Sequence, residues 1–190
     1  MKTRSVILVM LLAPAGLLAQ QQTNPITASF RTRTLGLQRV VAMAFDSIPE
    51  SKFSYKPTPA QLSIGYIAQH LASDNYLFCN NFGDMKATRA AADTATADSI
   101  KATWPKAMLV SKLKESFTFC ENALNQLDDS KLAEAITLSF NGRSFPTTRA
   151  AMALGHALDL ADHYSQLANY MRLNNMVPPT ALPRPRPNSH

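Results

Sequence analysis

Three of the four histidines in this chain can be gathered at one place, and with one aspartate they have the chemistry of a metal site. His156, Asp159 and His163 lie on one helical stretch, AMALGHALDLADHYSQLANYMRL, at positions i, i+3 and i+7. That spacing puts all three side chains along one helix face. His70 lies on an earlier helical stretch, IGYIAQHLASDNYLFC. A His from one helix and a His/carboxylate group from another is how a helical bundle builds a metal site in its core. Imidazole nitrogens with a carboxylate oxygen suit Zn²⁺, Ni²⁺, Fe²⁺ or Mn²⁺. Asp74 follows His70 by four residues on the same face, where it can orient an imidazole or serve as a general base. The competing reading is that each His is a hydrogen-bonded core residue and each Asp a solvated one. An open coordination position would mark the site as catalytic and a closed shell as structural.

The elements that must position these groups are helices. Asn24-Pro25 opens the first, with an Asn cap and Pro at the first helical position, and it ends near Ile48-Pro49. Ser51 to Pro59, with Pro57 and Pro59, reads as extended. A second helix is predicted over 60–81, and Gly83 is a plausible stop. The Ala/Thr-rich stretch from Asp84 to Thr103 reads as a loop with weak helical turns. A third helix is predicted over 105–127. Ile136 to Phe140 alternates like a strand, and Asn141-Gly142 is a hairpin turn signal. A lone hairpin is marginal unless it packs on the helices. The last helix is predicted from Thr147 to Asn175. Met43, Met108, Met152, Met171 and Met176 read as core filler. The fold class expected is all-α: a four-helix bundle with long crossover connections and a short hairpin before its last helix.

The first 19 residues have the pattern of a cleaved secretory signal. Lys2 and Arg4 precede an apolar run from Val6 to Ala19, and a Gln run follows. The run is shorter than the roughly 20 residues that span a bilayer. A secreted or periplasmic location, with no stable membrane anchor after cleavage, is therefore expected. Without Lys2 and Arg4 the balance is 17 basic to 13 acidic residues. No Lys/Arg run is interleaved with aromatics, which argues against nucleic acid as a partner. The Pro-rich tail over 180–190 is expected to be disordered. An even cysteine count in an exported chain permits a disulfide between Cys79 and Cys120; two buried free thiols are the alternative. Closing that loop would stabilise the fold by up to roughly 4 kcal/mol.

Three segments together resemble the DinB-like family of metal-dependent helical proteins. IPESKFSYKPT, from Ile48 to Thr58, is similar to the family's loop after its first helix. SIGYIAQHLASD, from Ser63 to Asp74, is similar to the second-helix motif that carries a histidine ligand. HYSQLANYMR, from His163 to Arg172, is similar to the last-helix motif. The likeness spans about Thr27 to Pro179, within a bundle domain placed at 24–179. It implies an up-down-down-up bundle holding a divalent metal through three histidines, two of which match His70 and His163. The third family ligand precedes the last His by four, and here that position is Asp159. Asp159 can replace it, His156 can move in instead, or the site has decayed. The resemblance further implies hydrolase or transferase chemistry on metal-activated water or thiol, and an exported setting favours water. The alternative is a non-catalytic metal- or ligand-binding bundle of the cell envelope. A small-molecule substrate is the expected partner, and a homodimer is compatible with this fold.

Overall fold

The computed structural model describes residues 23–140 and 142–183. The expected signal segment and residues 184–190 of the tail lie outside the described residues. Four long helices dominate: α1 (Pro25–Ser47), α2 (Ile64–Phe82), α5 (Lys106–Asn125) and α6 (Arg149–Leu173). Two short helices, α3 (Ala91–Ala95) and α4 (Asp98–Lys101), occupy the Ala/Thr-rich stretch. The strands β1 (Ala135–Phe140) and β2 (Arg143–Thr148) form an antiparallel hairpin before α6.

Helix ends follow local chemistry. α2 begins at Ile64, four residues later than its periodicity suggests, because the Ser63 hydroxyl accepts from the Tyr66 N–H and caps it there. Thr148 caps α6 in the same way, accepting from Ala151 N–H. The expected Asn24 cap is not used. Asn24 has a left-handed backbone and no side-chain capping bond. Its Oδ1 accepts from Asp129 N–H, and the Asp129 carboxylate in turn accepts from Ile26 and Thr27 N–H. A residue a hundred positions away thus satisfies the first turn of α1.

Cross-helix contacts fix the directions. Arg31 reaches the Leu124 carbonyl and Lys114 the Asp46 carboxylate, so α1 and α5 run antiparallel. Asn75 donates to Ser116, and Cys79 lies beside Cys120, so α2 and α5 are parallel. His70 meets His163 and Arg149 meets the Phe82 carbonyl, so α2 and α6 are antiparallel. The order is up-down-down-up, as the resemblance implies. Parallel neighbours α2 and α5 need a connection that returns along the bundle, and the α3–α4 segment is that crossover. Gly65 lets it seat: a Cβ there would strike the Ala102 carbonyl oxygen, and the Gly65 N–H itself donates to Phe53 O at 2.8 Å.

The core has two parts. One joins Phe45, Ile67, Leu71, Leu113, Leu160 and Leu167 across all four long helices. The other gathers Phe82, Cys120, Leu124, Leu132 and Met152. Ile136 and Leu138 of the hairpin pack on the second part, which anchors it, while Phe140 and Phe145 stay exposed. Met152 and Met171 are buried as expected, but Met43 and Met108 are exposed and fill no core. Among the described residues, no helix is long and apolar enough to cross a membrane.

Candidate metal centre

The seam between antiparallel α2 and α6 carries the site. His70 stands on the second turn of α2 and His163 on the latter half of α6. Their rings meet edge to face, with centroids 4.8 Å apart. Asp159 lies one turn before His163, its Oδ1 3.5 Å from His163 Nε2. One ligand atom each from His70, Asp159 and His163 falls within 4.8 Å of the other two. Nitrogen and oxygen ligands at roughly 2.1 Å from a cation stand about 3–3.5 Å apart, so these side chains need to close by about 1 Å to bind one.

Electrostatics favour a cation here. Burial raises the Asp159 carboxyl to about 6, with the negative charges of Asp74 and Asp162 adding and His70 opposing. Asp159 Oδ2 and His163 Nδ1 are both buried without a hydrogen-bond partner. A buried carboxylate oxygen with no donor is costly, and a divalent ion would satisfy it. Burial, then the neighbouring His70, lowers His163, which keeps its imidazole neutral and able to ligate. The donor chemistry and the orphaned oxygen both fit a divalent metal.

Asp74 completes the group. Its Oδ2 lies 3.4 Å from His70 Nε2. Burial raises its carboxyl, His70 opposes the shift and Asp98 adds to it. The site has a closed side and an open side. The His163 side chain is 8% exposed, whereas those of His70 and Asp74 are 29% and 26% exposed. Solvent therefore reaches it from the α2 side. Tyr66, one turn before His70, stacks on the His70 ring with centroids 6.2 Å apart. In the sequence only the i, i+4 spacing from His70 marks Tyr66 for this role.

His156 is not part of this cluster. Seven residues keep His156 and His163 on one face but separate them by about 10 Å along the axis, too far to share an ion. His156 is fully buried, with Nε2 2.8 Å from Asn75 Oδ1. Phe78 and Phe82 flank its ring. Burial pushes its pKa down to about 4. Cys79 and Cys120 sit at disulfide-bonding distance beside it, with Cα atoms 5.2 Å apart.

Residues 34–167 match the family model described as the DinB superfamily. Among solved structures, a DinB-like protein from Bacillus cereus ATCC 10987 is similar, with a TM-score of 0.61 at 15% identity, over 80% of this chain and 95% of that one. A DinB-like protein from Bacillus subtilis gives a TM-score of 0.58 at 18% identity, over 82% of this chain and 96% of that one. A mycothiol-dependent maleylpyruvate isomerase gives 0.58 at 11% identity, over 74% of this chain and 60% of that one. At these identities the likeness concerns the fold. No curated protein matches the chain.

Proposed function

The chain belongs to the DinB superfamily, and from that premise we propose that it binds a divalent metal through His70, Asp159 and His163 and acts as an exported hydrolase or transferase. The observation that carries the reading is the half-buried Asp159 carboxylate, beside two histidines, with one buried oxygen unpartnered. Asp159 stands where the family pattern has a histidine, and its position beside His163 supports substitution of the ligand rather than decay of the site. A bound ion would supply a Lewis acid that makes water or a thiol nucleophilic near neutral pH.

The protein's own groups have separable roles. Asp159 and His163 form the less exposed half of the ligand set. His70 is steadied on one side by Tyr66 stacking and on the other by Asp74. Asp74 lies on the solvent-facing side with its carboxyl raised, so it is placed to take a proton from an incoming nucleophile. The paired cysteines favour an oxidising compartment, where water is the more available nucleophile. The mycothiol dependence of one structural neighbour keeps thiol transfer as the second chemistry to assay.

The test is turnover by metal-free and reloaded protein on ester, amide and thiol-transfer substrate panels. Activity should vanish on chelation and return on reloading. Asp74→Asn should keep its metal and lose most of its turnover. A protein that holds its metal yet turns over nothing in any of the three panels would be a binding protein, and the enzyme reading would fall.

A further inference from the structure

The buried group around His156 carries chemistry that the first site does not use. Its proton positions can be worked out from the hydrogen bonds. The Ser116 hydroxyl donates to the Leu113 carbonyl at 2.7 Å, so its oxygen is free to accept. It accepts from Asn75 Nδ2 at 2.8 Å, which fixes the orientation of the Asn75 amide. Asn75 Oδ1 therefore faces His156 Nε2, and that nitrogen must carry the proton it donates. Nδ1 is left with its lone pair, and it points at Cys79 Sγ 3.9 Å away. One ligand atom each from Cys79, Cys120 and His156 lies within 4.8 Å of the other two.

A neutral imidazole whose far N–H is held by a carbonyl, with its lone pair facing one sulfur and a second sulfur close by, is the arrangement of a thiolate–imidazole metal ligand set. We propose that the reduced chain holds a second ion, Zn²⁺, on Cys79, Cys120 and His156, and that the disulfide closes this site. The two sites share no ligand.

The steps balance. A phosphine reductant delivers two electrons to the Sγ–Sγ bond, the sulfurs take two protons, and the phosphine becomes its oxide with the oxygen of one water. Zn²⁺ then displaces both thiol protons to solvent and bonds to two thiolates and Nδ1. Two thiolates and one divalent cation sum to zero charge, which lowers the cost of placing the ion in a fully buried layer. Thiolates also favour Zn²⁺ over hard cations such as Mg²⁺. The thiol–disulfide state would then decide whether the chain carries the extra ion.

The test measures zinc per chain on oxidised protein and on protein reduced with tris(2-carboxyethyl)phosphine under argon. It is run in the wild type and in His163→Ala, which silences the first site. The reduced form should bind one zinc more than the oxidised form in both backgrounds. Cobalt should give a thiolate charge-transfer band only after reduction. Cys79→Ser/Cys120→Ser and His156→Gln should lose the increment while far-ultraviolet circular dichroism stays helical. If a variant unfolds, the wild-type comparison alone decides. Equal zinc in the two redox states, or an increment that survives loss of both cysteines, would overturn the proposal.

Discussion

Acid should destabilise this protein through His156 in a way that can be calculated. The imidazole titrates at about 4 in the fold, against about 6.5 in an unfolded chain. Between these values the unfolded state binds a proton that the folded state refuses. Stability is therefore full above pH 6.5 and falls as pH drops towards 4. Linkage gives a loss of about 2 kcal/mol by pH 5 and about 3 kcal/mol by pH 4. Asp159 works in the opposite sense. Its folded value of about 6 lies above its unfolded one, so in metal-free protein its destabilisation is relieved as pH falls from 6 to 4. The His156 share is isolated by difference. His156→Gln keeps an N–H donor for Asn75 and removes the titration. Urea unfolding of chelated wild type and variant at pH 7 and pH 4.5 should show that the wild type loses about 2–3 kcal/mol more. Proton NMR of the His156 ring should show no titration above pH 5. A ring that titrates near 6.5, or equal losses in both proteins, would refute the assignment of a neutral, hydrogen-bonded core histidine.

Three further outcomes follow from packing. Reducing the Cys79–Cys120 pair, which closes a loop of 41 residues, should lower unfolding stability by about 4 kcal/mol on the chain-entropy model, read as a lower urea midpoint. Gly65→Ala places a methyl against the Ala102 carbonyl, backbone that cannot swing away. It should cost about 1–3 kcal/mol and loosen the α3–α4 crossover, seen as faster amide exchange there. Arg149 pairs with Glu134 and Asp84 and donates to the Phe82 carbonyl. Arg149→Met should cost about 1–2 kcal/mol in thermal or urea unfolding, chiefly by leaving the buried Phe82 carbonyl without its donor, since both carboxylates are half exposed.

The four long helices were legible because amphipathic periodicity sustained over twenty residues is a strong signal, whereas their ends depended on single hydroxyls. Ser63 and Thr148 each start a helix later than periodicity alone indicates. The α1 cap was not legible at all, since Asp129 arrives from the far side of the chain. Spacing brought His70, Asp159 and His163 to one seam, but it could not separate a shared face from a shared depth. His156 shares that face and lies two turns away in the fold. Asn75 could have warned of this: an asparagine on the buried face of α2 needs a polar partner, and His156 is that partner.

Metal content decides whether α2 and α6 together hold an ion. Elemental mass spectrometry of protein purified without chelator or affinity tag tests it most directly, beside His163→Ala and Asp159→Ala. About one divalent ion per oxidised chain is expected, lost in both variants while the helical content remains. Metal absent from the native protein even after incubation with Zn²⁺, Ni²⁺, Fe²⁺ and Mn²⁺, or retained in both variants, would contradict it.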